Sequence, residues 1–178
     1  MRVVAGKLRH RQIKMTNLES TRETQDKVRQ AIFNMIGPYF DGGKALDLFA
    51  GSGAMGIEAY SRGMEHITLN DLNPQALLVC KENCKSLGIN NVKFCNLDYL
   101  DFIKECNDVF DLIILDPPYK MDDIESILQS INKLINKNGL VVFEMGKDSI
   151  YPDKMNNLIL IKDKTYGIKR VIIYRLEQ

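Results

Sequence analysis

The chain has no tryptophan, and only two histidines and four cysteines among its 178 residues. Each shortage closes a route. His10 and His66 stand apart from one another, so neither a histidine metal site nor a Ser/His/Asp relay is indicated. Cys80 and Cys84 share a helix face at i, i+4 spacing, but Cys95 and Cys106 do not form the second close pair that a zinc set requires. Four small thiols buried in a reducing compartment are the simpler reading. No apolar run approaches the ~18 residues needed to cross a bilayer, and no signal-peptide pattern follows Met1. A cytoplasmic protein is expected. Internal repeats and low-complexity tracts are absent as well, which leaves one ordinary domain with a small appendage as the expected organisation.

What is present is a chain that is 45% hydrophobic and 26% charged, enough to bury a proper core. Its net charge of +1 hides an asymmetry: residues 1–40 carry eight basic and three acidic side chains, while the remainder is mildly acidic. A basic arm on an acidic body suits a polyanionic partner, although a solvated charged face gives the same count. Residues 2–6 and 8–13 read as two short strands around Gly6-Lys7, a β-hairpin. Strand alternation would set Arg9 and Arg11 on one face, where they could follow a phosphate backbone.

Beyond the arm, apolar spacing predicts a helix over 24–36, closed by Gly37-Pro38. Strands at 44–49, 66–70, 92–95 and 110–115 then alternate with helices at 54–62, 74–87, 98–106 and 122–136. A fifth strand at 139–145 precedes two more, at 158–162 and 168–174, with no helix between them. That order gives an α/β, doubly wound Rossmann-like sheet of seven strands, finished by an antiparallel hairpin on one edge.

The stretch 46–56, LDLFAGSGAMG, is a strand that opens through glycines into a helix. Such a turn presents backbone N–H groups to a nucleotide, and Gly51, Gly53 and Gly56 spell G-x-G-x-x-G. That match alone would suit NAD. Asp47 argues otherwise, because a carboxylate below the turn repels a pyrophosphate and welcomes a cation. S-adenosylmethionine (SAM), with its sulfonium and α-ammonium, fits that mouth better. Acidic residues recur at strand ends as Asp71, Asp98 and Asp116, where open α/β sheets bind ligands. Asp71 lies twenty positions after Gly51, the spacing that places a carboxylate on a ribose diol. Leu72 would face adenine. Asp98 is either a helix N-cap or an acceptor for the adenine amino group.

Asp116-Pro117-Pro118-Tyr119 carries the second half of the chemistry. Two prolines after a buried strand remove backbone donors and stiffen the turn. A carboxylate and carbonyl oxygens remain beside an aromatic ring, an acceptor-rich platform suited to an exocyclic amine on a nucleobase. Asp116 and the Pro117 carbonyl would hold the amine hydrogens and aim its lone pair, while Tyr119 stacks on the flipped base.

The stretches LDLFAGSGAMGIEAYSRG, NDLN and LDPPY together resemble class I SAM-dependent methyltransferases of exocyclic amines. The opening RVVAGKLRHRQI and the stretch STRETQDKVRQAIFNMI narrow the resemblance to the RsmD family, bacterial methyltransferases of guanine N2 in 16S ribosomal RNA. The likeness covers essentially the whole chain. It implies a small hairpin extension at 1–20 and a methyltransferase domain at 21–178. It further implies SAM held by Asp47, Phe49, Gly51, Gly53, Asp71, Leu72, Asp98 and Tyr99, with Arg22 and Thr24 supplied by the loop before the first helix. Glu23 stands where relatives more often have proline. Catalysis would fall to Asp116, Pro117 and Tyr119, by direct in-line transfer, and rRNA contact to Arg2, Lys7, Arg9 and Arg11. The substrate is expected to be 16S rRNA in an assembled or partly assembled small subunit, met by a monomer without a metal. An adenine-N6 DNA methyltransferase is the alternative, since DPPY is shared. An NAD-dependent oxidoreductase or a non-catalytic RNA-binding module would leave Asp47 and the DPPY turn unexplained.

Overall fold

A computed structural model describes residues 1–17, 26–118, 121 and 123–177. Helix α1 (Asp26–Ile36) precedes an alternating series: β1 (Lys44–Asp47), α2 (Ala54–Ser61), β2 (His66–Asn70), α3 (Pro74–Ser86), β3 (Val92–Cys95), α4 (Tyr99–Glu105), β4 (Phe110–Leu115) and α5 (Ile124–Ile131). Strands β5 (Ile135–Gly146), β6 (Lys154–Met155), β7 (Leu158–Tyr166) and β8 (Lys169–Leu176) complete the sheet. Its order is β3-β2-β1-β4-β5-β8-β7-β6. The first five strands are parallel and the ladders to β8, β7 and β6 are antiparallel. The strand order reverses between β1 and β4, the switch point at which such sheets bind ligands.

Alternation along each central strand builds two cores. Ala45, Leu112 and Ile114 point to one face, packing with Ile57, Leu77 and Ile32 from α2, α3 and α1. Leu46, Ile113 and Leu115 point to the other, packing with Phe102, Ile127 and Leu128 from α4 and α5. Burial on both faces explains why β4 reads as a near-continuous apolar run, with Asp111 its one polar residue. The seven expected strands are present, and the two-residue β6 adds a short eighth at the edge.

Two local expectations are corrected. The helix expected to reach residue 136 ends at Ile131; a 3₁₀ turn (Asn132–Leu134) follows, and β5 begins at Ile135. Leu134 and Ile135 are buried all the same, so their apolar spacing reflects a shared core and not a continuing helix. The β4–β5 register shifts between Phe110 and Leu112, and Asn138 takes up a φ of 62°.

The N-terminal hairpin is also not formed as two strands. One antiparallel bridge joins Arg2 and Gln12, around a wide loop. The N–H groups of Val3, His10 and Ile13 donate across the arm to the carbonyls of Arg11, Val3 and Met1, each at 2.9 Å, so the two segments pair as a hairpin, and helix α2 takes other donors of the arm. The N–H groups of Val4 and Ala5 donate to the Glu58 carboxylate at 2.8 and 3.0 Å, and that of Lys7 donates to the Ser61 carbonyl at 2.8 Å. His10 adopts φ 70°, which breaks the alternation expected to align Arg9 with Arg11. Glu58 is fully buried and also receives Arg62 at 2.7 Å and Arg29 at 3.3 Å, both buried. Arg29, counted in the basic arm, is therefore a structural cation.

Candidate active site

The carboxyl ends of the central strands open into a cavity of about 700 Å³, within the range of small-molecule sites. Asp47, Phe49, Gly51, Asp71, Leu72, Asp98, Tyr99, Asp116 and Pro117 all line it. Gly53 does not; it precedes α2 as its N-cap with φ 82°. Tyr119, Arg22 and Thr24 lie outside the described residues, as does Glu23.

The glycine turn is fixed from behind. Asp47 is buried, and its Oδ2 accepts the Gly56 N–H at 3.0 Å, which ties β1 to the first turn of α2. A side chain at Gly56 would place its Cβ 2.3 Å from Leu69 Cδ2, so helix and strand approach as closely as they do only because none is there. Cys80 Sγ donates to the Gly51 carbonyl at 3.0 Å, and Asn83 Nδ2 donates to the Ser52 carbonyl at 2.9 Å. Asn70, also buried, donates to the carbonyls of Leu48 and Leu97 and so links the ends of neighbouring strands. None of these three side chains was singled out in the sequence for this role. Their only signal is polarity at positions whose spacing calls for burial.

Asp71 is anchored at both oxygens: Oδ2 accepts the Gly51 N–H and Oδ1 the Asn73 N–H, each at 2.8 Å. Each oxygen keeps a second lone pair for a ligand. Leu72 beside it is 65% exposed on the cavity rim. Asp98 caps α4 by accepting the Leu100 N–H at 2.9 Å, the helix-cap alternative. Next to it in the chain, Tyr99 stands beside Phe49 with ring centroids 5.7 Å apart, tilted by 42°. Burial, helped by the charges of Asp98 and Asp123, pushes the Tyr99 hydroxyl above its ordinary range, so it stays a neutral donor.

The DPP turn forms the opposite wall, and the structure adds Lys169 to it, backed by the buried Glu144. Lys169 Nζ lies 3.9 Å from Asp116 Oδ2 and is ion-paired with Glu144. The β5–β8 ladder sets Gly146 against Lys169 and Glu144 against Val171. Lys169 and Glu144 are thus diagonal neighbours on one face. Glu144 could have been suspected as the one charge ending an apolar strand, whereas Lys169 needs the register.

The arm lies elsewhere. Lys7 sits over the Tyr60 ring at 3.5 Å, and Arg11 donates to the Ser86 carbonyl at 3.1 Å. Tyr60 and Ser86 are at the carboxyl ends of α2 and α3, the end of the sheet away from the DPP turn. Arg2 meets Asp26 at 3.3 Å, and Arg9 is exposed.

Sheet order, reversed closing strands and a glycine-turn cavity facing an acceptor-rich turn define an α/β methyltransferase fold. A solved structure described as "Putative methyltransferase yhhF from Escherichia coli" superposes with a TM-score of 0.88 at 25% identity, covering 99% of this chain and 98% of that one. A family profile described as "Conserved hypothetical protein 95" matches residues 1–175, and the chain belongs to that family, the RsmD family of methyltransferases. Among relatives, "Putative rRNA methyltransferase YlbH" of Bacillus subtilis is 39% identical, over 98% of both chains. "Ribosomal RNA small subunit methyltransferase D" of Haemophilus influenzae is 34% identical, over 100% of this chain and 93% of that protein.

Proposed function

We propose that the protein transfers a methyl group from SAM to the exocyclic N2 of a guanine in 16S rRNA. The observation that carries this reading is the placement of the DPP turn and the Asp71–Gly51 turn on opposite walls of one cavity. The cavity fits the cofactor chemically. Asp71 offers anchored lone pairs to a ribose diol, Leu72 and Phe49 offer apolar surface to a purine, and buried Asp47 and half-buried Asp98 supply negative charge for a cation. SAM supplies an electrophilic methyl group when bound.

The chain's own residues do the rest. Asp116 and the Pro117 carbonyl accept the two N2 hydrogens, so the lone pair is aimed away from the turn. An amine conjugated to a purine is a weak nucleophile, and orientation is the main help the turn can give. Asp116 then takes the proton that the amine sheds. Arg2, Lys7, Arg9 and Arg11 contact rRNA phosphates away from the target. Helix α3 has thirteen residues, hence a length of roughly 20 Å, and it separates Arg11 from the cavity rim. An RNA touching both spans that distance.

The test is incubation with methyl-labelled SAM and small subunits from cells lacking the gene, followed by nucleoside mass spectrometry. N2-methylguanosine is expected. Label appearing only in N6-methyladenosine would overturn the reading.

A further inference from the structure

The described residues lining the cavity include four carboxylates, Asp47, Asp71, Asp98 and Asp116, and one cation, Lys169. Carboxylates gathered in one cleft disfavour one another's charge. Backbone N–H groups offset this at three of them: Gly56 donates to Asp47, Gly51 and Asn73 to Asp71, and Leu100 to Asp98. At Asp116, which has to meet the amine as a carboxylate, the cation is at hand: Lys169 Nζ lies 3.9 Å from Oδ2. Lys169 is braced in turn. Its side chain is only 17% exposed, and the buried Glu144, on the neighbouring strand and outside the cavity lining, pairs with it from behind. Hydrophobic residues of similar size often join two strands as well as a buried ion pair, or better. A charge kept at this place therefore acts on something besides the strands, and Asp116 is within its reach.

We infer that Lys169 is a positioning residue for methyl transfer: braced by Glu144, it keeps Asp116 charged and its Oδ2 turned toward β8, leaving Oδ1 to accept from the target amine. This rests on the role proposed above for Asp116. An opposite charge within about 4–6 Å favours the ionised form of a carboxylate. The brace matters because a loose lysine could swing toward any of the other cavity carboxylates. Held from β5, the ammonium divides its charge between two carboxylates, so Asp116 stays ionised without being closed into a tight pair. One oxygen remains for substrate. As the new bond from N2 to the methyl carbon forms, the nitrogen becomes positively charged and its N–H strongly acidic. Even a carboxylate steadied by an ammonium takes that proton, and with 28% of its side chain exposed Asp116 can pass it on to water.

The experiment is a double-mutant cycle, read as single-turnover methylation of small subunits from cells lacking the gene, with saturating methyl-labelled SAM. Lys169→Met should slow methylation at least roughly tenfold, the scale on which misplacing a reacting group is felt. Lys169→Arg, which restores the charge, should recover most of that rate. In an Asp116→Asn background Lys169→Met should slow the residual reaction no more than about twofold, because the ammonium then has no carboxylate to act on. SAM affinity by calorimetry should be the same with and without Lys169→Met. Combining Lys169→Met with Glu144→Gln removes both charges of the pair and serves in its place if an orphaned Glu144 prevents folding; the same outcomes are expected of it. Equal slowing in the Asp116 and Asp116→Asn backgrounds, or a loss of SAM affinity that matches the loss of rate, would mean that Lys169 acts on the fold or the cofactor and not through Asp116. Either would overturn the inference while leaving the guanine-N2 reading intact. Absence of guanine-N2 methylation by the unaltered protein would overturn both.

Discussion

At the scale of single residues, the two walls of the cavity separate binding from chemistry. Asp71→Ala removes an acceptor from the cofactor wall and should weaken SAM binding by about 1–3 kcal/mol, read by calorimetry. Asp116→Ala should leave that affinity largely unchanged while kcat on ribosomal particles falls by roughly 10²–10⁴-fold. Parental turnover by Asp116→Ala would remove the role given to the DPP turn. Cys84 shows a different residue-level effect. Its thiol is buried and pushed up to about 12 by desolvation, from the ordinary 9.0 of an exposed cysteine. The unfolded chain ionises it more easily, so this group's stabilisation is complete below about pH 9 and is lost as pH climbs toward 12. Urea midpoints should decline across that window, and Cys84→Ala should flatten the decline.

At the scale of elements, the arm shows what a sequence reading sees and misses. The expected spans 66–70, 92–95 and 110–115 coincide with β2, β3 and β4, because Ile67 and Leu69, and Val92 and Phe94, alternate with polar residues, 110–115 is nearly all apolar, and polar turn residues stop each span. The N-terminal hairpin pairs around the Arg2–Gln12 bridge but forms no regular strands, because the donors of Val4, Ala5 and Lys7 are claimed by Glu58 and Ser61, more than fifty positions away in the sequence. Local alternation carries no record of such a claim. The same limit applies to the site. Glycines and strand-end carboxylates announce themselves by local pattern, whereas the Glu144–Lys169 pair exists only through the β5–β8 register. Docking of the arm depends on one glycine. Gly6 has φ 83°, and a Cβ there would lie 1.9 Å from the Ser61 carbonyl oxygen. Gly6→Ala should therefore cost more than about 1 kcal/mol, the upper range for Gly/Ala exchange at tolerant positions. A lowered urea midpoint, with residues 1–14 newly open to limited proteolysis, is the expected outcome.

At the scale of the whole molecule, the arm's basic tip and the DPP turn occupy opposite ends of the parallel strands. Replacing both Arg9 and Arg11 with alanine should raise the KM for particles and leave SAM binding unchanged. Each lost phosphate contact should lower the slope of log K against log salt by roughly 0.7–0.9, so titrations at several salt concentrations decide the matter. Guanine choice should survive, since phosphate contacts position and base contacts specify. The docking of residues 1–16 onto α2 and α3 has one more consequence, concerning the order of assembly during translation. Lys14 exchanges backbone hydrogen bonds with the side chain of Asn83, 69 positions further along. At ~5–20 residues per second, the ribosome needs roughly 3–14 s to add those 69 residues. The basic arm thus leaves the exit tunnel before α3 does, and waits undocked for that helix to follow it out.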